Sequence, residues 1–93
     1  MVDRGPGQFN EEVSKLKVVS LVEMKTGQSG RVKRIYGGKG MVARLQALGL
    51  HPGKKLTKLS TFFQRGPVVV EIDRSRVAMG YGRANRIMVE VED

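Results

Sequence analysis

Apolar positions change their spacing several times along the chain, and each change marks an element. Residues 11–17 are polar except for Val13 and Leu16, which predicts at most a loose helical turn. Ser20 followed by Glu23 has the spacing of a capping box, with the serine at the N-cap and the glutamate reaching back to it. A turn of helix should start there, and Gly27 fits a left-handed stop. In the stretch 30–36, Val32 and Ile35 stand three apart, which breaks strand parity, and a bulge or a sharp twist would bring both inward. Met41, Val42, Leu45 and Leu48 then fall at helical spacing. Gly49 is placed as the left-handed residue beyond that helix, and Leu50 can fold back onto Leu45 in a Schellman contact.

The second half reads as strand. Leu56 and Leu59 again break parity and predict a bent strand over 54–63, with Gln64-Arg65-Gly66-Pro67 as the turn after it. Val68, Val70 and Ile72 alternate with Val69, Glu71 and Asp73. A tight turn near Arg74-Ser75 leads to Val77 and Met79 on one face, and 81–86 is a short turn or a single turn of helix. In the closing stretch Ile87, Val89 and Val91 point inward, and Met88, Glu90 and Glu92 outward. The pattern predicts a mainly all-β fold: a small barrel of about five strands with one inserted short α-helix and helical turns. Closure removes the exposed edges that so short a sheet would leave. The expected core is Val32, Ile35, Leu56, Leu59, Val68, Val70, Val77, Ile87 and Val89.

Composition narrows the function classes. The chain has 93 residues, enough for one small domain. It lacks cysteine, which excludes disulfides and thiolate metal sites. No apolar run approaches the ~20 residues of a membrane span, and the start lacks the basic-then-apolar order of a secretory signal. The expectation is a soluble cytoplasmic protein. The net charge is +8, and it is unevenly spread. No acidic residue lies between Glu23 and Glu71, whereas Lys25, Arg31, Lys33, Arg34, Lys39, Arg44, Lys54, Lys55, Lys58 and Arg65 are all basic. Such a field attracts nucleic acid, anionic lipid or an acidic protein face, or simply keeps a small protein soluble.

Candidate chemistry is sparse. Gly37-Gly38-Lys39-Gly40 fails as a phosphate loop, because a P-loop needs Ser or Thr directly after the lysine and Gly40 stands there. The glycines better serve a turn with positive backbone dihedrals. The lone His51 has no acidic partner nearby in sequence, so no tight intrachain metal site is expected. Any divalent ion should sit weakly, at an intermolecular contact involving His51 or an acidic side chain. Met41 and Met79 lie on apolar faces and read as core filling rather than soft-metal ligands. No nucleophile stands beside the histidine and no paired carboxylates flank a cleft, so no catalytic residue and no cofactor is expected. The stretch 30–40 resembles the Gly-and-basic strand–turn of KOW-type barrels. A basic nucleic-acid-binding module is therefore an alternative, opposed by the small number of aromatics available for base stacking.

Arg44-Leu45, Leu48-Gly49-Leu50 and Pro52-Gly53 are similar to the pattern of the FeoA family, small accessory proteins of bacterial and archaeal ferrous-iron uptake. The segment 21–35, the stretch 66–72, then 76–80 and the closing 87–92 also resemble that family, so the resemblance covers about residues 20–92. It implies an SH3-like barrel over 18–93, with 1–17 as an N-terminal extension, disordered or loosely helical. The same barrel ends metal-dependent repressors of the diphtheria toxin repressor type, which makes a metal-responsive regulatory domain a further alternative. About 19 residues precede the barrel here, too few for a helix-turn-helix. The resemblance implies action on FeoB, a membrane permease with a cytoplasmic GTP-binding domain. The chain would then be cytoplasmic and recruited to the inner face of the membrane, with a weak homo-oligomer open.

The helix over 41–48 is the element a plain barrel does not need. Met41, Leu45 and Leu48 share a face, ringed by Lys39, Arg44 and Lys54. An apolar centre with a charged rim is the anatomy of a protein-binding site. Leu45 is expected as its central contact and Arg44 as the rim charge that steers an acidic partner. The competing reading packs these leucines on the barrel, and it is favoured for Leu48.

Overall fold

The computed structural model describes residues 16–61 and 66–92. Leu16–Ser20 form strand β1, which leads into a 3-10 turn, Leu21–Glu23. Strand β2 (Ser29–Ile35) precedes helix α1 (Lys39–Ala47), and β3 (Lys55–Thr61), β4 (Val68–Ile72) and β5 (Ser75–Met79) follow it. A single helical turn, α2 (Tyr81–Ala84), precedes β6 (Ile87–Glu92). The strands pair antiparallel in one six-stranded sheet of order β1-β6-β2-β3-β4-β5. Strand β6 is thus an interior strand, paired on both sides: it lies between β1 and β2, and its Ile87, Val89 and Val91 are buried in the core.

A bulge is present at each of the two parity breaks. Between Val32 and Arg34 the β2–β6 register slips, so Val32 faces Val89 and Ile35 faces Ile87 on the same side. Between Lys58 and Ser60 the β3–β4 register slips in the same way, leaving Leu59 as the extra residue. The capping box forms as well. Ser20 Oγ accepts from the Glu23 amide at 3.2 Å, and Glu23 Oε1 accepts from the Ser20 amide at 3.0 Å. The helical turn ends at an extended Met24 rather than at glycine, and Gly27, with φ 88°, serves the following turn into β2. At the end of α1 the Schellman geometry is complete. The Leu50 amide donates to the Leu45 carbonyl and the Gly49 amide to that of Gln46, each at 2.9 Å, with Gly49 at φ 95°.

The structure corrects several expectations. Six strands are present among the described residues, where about five were expected. Their order leaves β1 and β5 as edges, so the pairing that would close the sheet and remove its edges is not seen among them. Leu16 and Lys17, expected in the extension, belong to β1, where pairing with Glu92 and Val91 of β6 supplies the order that local sequence does not. The rest of that extension, Gln64 and Arg65, expected in a turn, and Phe62 and Phe63, expected in the strand before it, lie outside the described residues. Val32, Leu56, Val68, Val70, Ile87 and Val89 are buried as expected, and Ile35 and Val77 pack against them half-buried. Leu59 is only half-buried, because the bulge turns it out of parity, and the residue before it is buried instead.

That residue is Lys58, 3% exposed. Its ammonium passes under the 3-10 turn and donates to the carbonyls of Val22 at 2.9 Å and Met24 at 2.7 Å. Among the described residues no carboxylate pairs with it, and burial pushes its pKa below the ordinary 10.5. The folded state therefore binds fewer protons than the unfolded chain between the lowered value and 10.5. The resulting penalty is complete below the folded pKa and fades as pH rises towards 10.5. The stability difference between wild type and Lys58→Met should accordingly shift in favour of wild type as pH rises from neutral into that window. Urea unfolding of both proteins across the range checks this, and a constant difference would refute it.

Candidate partner interface on the inserted helix

Helix α1 is held to the barrel from one side. Leu45 is 2% exposed and Leu50, beyond the cap, is fully buried. A side chain on Gly49 would meet Ile72 at 3.3 Å, so the C-terminal end of α1 rests on the end of β4. Met41 packs half-buried against the same core. At the other end the loop closes tightly: a Cβ on Gly37 would come within 2.9 Å of Met41 Sδ. The glycine run thus serves close packing at the exit from β2. Gly38 is the N-cap and makes no side-chain cap bond.

These contacts decide between the two readings of the helix face. Leu45, expected as the central exposed contact, is core, because it is the Schellman residue that Leu50 folds onto. Leu48, expected to pack, is 50% exposed. Three residues beyond Leu45 and at the cap itself, it is carried round the edge of the buried stripe. Arg44, four residues before Leu48, is exposed and in the last turn, where a cation suits the helix dipole. Lys39 is exposed in the first turn, which holds no acidic residue. Of the five expected site residues, Arg44 and Leu48 are exposed one turn apart at the C-terminal end of α1, Lys39 is exposed nine residues before Leu48 on the opposite side of the helix, Met41 is half-buried against the core, and Leu45 anchors the helix from beneath.

The surrounding charge is only partly free. Lys54, expected in the rim, pairs with Asp73 at 2.8 Å, and Lys58 is internal. Lys25, Arg31, Lys33, Arg34, Lys39, Arg44 and Lys55 are exposed. Tyr36, 52% exposed, lies beneath the Arg34 guanidinium at 5.8 Å and adds an aromatic near the start of α1 that the sequence reading did not single out. His51 is exposed, with Nδ1 3.2 Å from the Pro52 carbonyl. Among the described residues no three His, Cys, Asp or Glu side chains gather as metal ligands would. On the outer face of the sheet an open basin of about 620 Å³ is lined by Leu16, Ser29, Arg31, Lys55, Glu90 and Glu92, carrying both signs of charge.

The match to a family model, the FeoA domain, spans residues 19–91. This chain belongs to the FeoA family. A relative from Methanocaldococcus jannaschii, provisionally named Fe(2+) transport protein A, is 39% identical over 66 residues, which cover 71% of this chain and 78% of the relative. A crystal structure of an iron uptake regulatory protein, FeoA, superposes with a TM-score of 0.74 at 36% identity, covering 81% of this chain and all of that one. FeoA from Stenotrophomonas maltophilia, a zinc complex described as a prokaryotic SH3 domain protein, gives a TM-score of 0.66 at 23% identity over 76% of this chain and 88% of that one. At that identity the likeness speaks for the SH3-like fold alone. Among the described residues no helix is long and apolar enough to cross a membrane.

Proposed function

We propose that this FeoA-family chain is a non-enzymatic accessory protein of ferrous iron uptake, and that it binds the cytoplasmic part of a FeoB-type permease through the accessible side of α1. The observation that carries this reading is Leu48. It is half-exposed at the cap of a helix whose other leucine, Leu45, is buried, and Arg44 stands one turn before it. An apolar side chain left half in water one turn from Arg44 contributes little to folding and suits a partner with an apolar pocket and an acidic rim. The protein then works in the cytoplasm and reaches the membrane through its partner. No catalytic group is needed: binding alone shifts the permease between states, provided it favours one of them.

The uptake test uses Leu48→Gln and Arg44→Glu in cells whose own FeoA is deleted. Both residues are exposed, so both variants should fold with wild-type melting. Ferrous iron accumulation should fall towards the level of the deletion strain. Full complementation by both would place the working surface elsewhere on the barrel.

A further inference from the structure

Strand β1 is an edge of the sheet, and it is unusual for an edge. Its outer-face residues Leu16 and Val18 are 43% and 45% exposed, on a strand paired, among the described residues, on one side only, to β6. The opposite edge, β5, presents Ser75, Arg76 and Ala78 to solvent, which suits an edge that must stay unpaired. β1, with the sequence LKVVS, has the composition of a strand that takes a neighbour.

The capping box shows which main-chain groups face outward. The Ser20 amide is taken by Glu23 Oε1 and so does not bond to β6. Main-chain direction alternates along a strand, so Val18 and Leu16 share the orientation of Ser20 and turn their amides and carbonyls to the open edge. We propose that β1 pairs antiparallel with β1 of a second copy of this chain, with Val18 on the two-fold axis.

That register is self-complementary. Val18 faces its symmetry mate and exchanges two main-chain hydrogen bonds with it, while Leu16 faces Ser20 and Lys17 faces Val19, so the strand's one charge never meets its own copy. The acidic Glu90 is paired to Val18 from β6. In the dimer the two copies of Glu90 stand three strand spacings apart, about 14 Å, beyond the ~8 Å screening length at physiological salt. Edge pairing of five residues buries less than the ~1,200 Å² of standard interfaces, so the dimer is weak and concentration-dependent. Each copy carries +8, so added salt should strengthen association. That is opposite to the response expected for an acidic partner on α1.

Sedimentation equilibrium of the full chain, from about 10 µM to 1 mM, reads the mass. It should rise from 10.3 kDa towards twice that value, more so in higher salt. Val18→Lys, at an exposed edge position, should stay monomeric with unchanged melting. Because the chain has no cysteine, Val18→Cys gives an independent arm. Hydrogen-bonded antiparallel partners have Cα atoms ~5.5 Å apart, within disulfide reach. Oxidation should link Val18→Cys into dimers much faster than the edge control Ala78→Cys. A monomer at all concentrations would overturn the proposal, as where the chain's own upstream residues cover β1. So would association that survives Val18→Lys, or equal linking of the two cysteine variants.

Discussion

Val70→Asp is expected to leave no folded domain at room temperature. Val70 is fully buried at the centre of β4, opposite Lys58 of β3 and Val77 of β5. A carboxylate there must either stay charged in an apolar core or bind a proton, and either costs several kcal/mol. A domain of this size has a total margin of about 5–10 kcal/mol, and β4 contributes two further buried side chains, Val68 and Ile72, on the same face. The Lys58 ammonium does not provide easy rescue, since it is already bonded to two carbonyls. Circular dichroism and urea unfolding would show the loss directly. A variant that melts like wild type would mean that Val70 does not face the core.

Leu45→Gln should be the second large effect, and it separates the two sides of α1. Leu45 is 2% exposed and packs at the Schellman cap. Truncating a buried leucine typically costs about 2–5 kcal/mol, and the glutamine amide adds a buried polar group without partners. The melting temperature should fall by well over 10 °C, at roughly 4–8 °C per kcal/mol for a domain of this size. Leu48→Gln, three residues on, should change it by only a degree or two, because Leu48 is already half in water. Equal destabilisation by the two substitutions would contradict the orientation of the helix.

Much of the fold was legible because its signals are local. The two parity breaks, Val32/Ile35 and Leu56/Leu59, announced a bulge or twist in the first case and a bent strand in the second, and a bulge occurs at each. Ser20 with Glu23 and Leu45-x-x-x-Gly49-Leu50 announced caps whose hydrogen bonds all form. What escaped depends on contacts distant in sequence. β1 exists because β6, some 70 residues later, pairs with it, although the β-branched pair Val18-Val19 was a usable hint. Lys58 is buried because a bulge next to it and a helical turn from another part of the chain together enclose it, and no local pattern predicts a buried lysine.

The candidate site divides in the same way. Helical periodicity grouped Met41, Leu45 and Leu48 on one face. It could not say that the stripe rolls off the barrel at the cap, leaving Leu45 inside and Leu48 outside. The basic window was plain in the sequence, but which cations remain available was not. Lys54 is tied to Asp73 through a contact of tertiary origin, and Lys58 is enclosed.

Calorimetric titration of the permease's soluble cytoplasmic domain with this chain, with and without guanine nucleotide, tests the central claim most directly. Wild type should bind, and Leu48→Gln and Arg44→Glu should each lose at least tenfold in affinity, about 1.4 kcal/mol, while melting as wild type does. Binding by wild type that both folded variants retain in full, or no binding by wild type in any nucleotide state, would contradict the account.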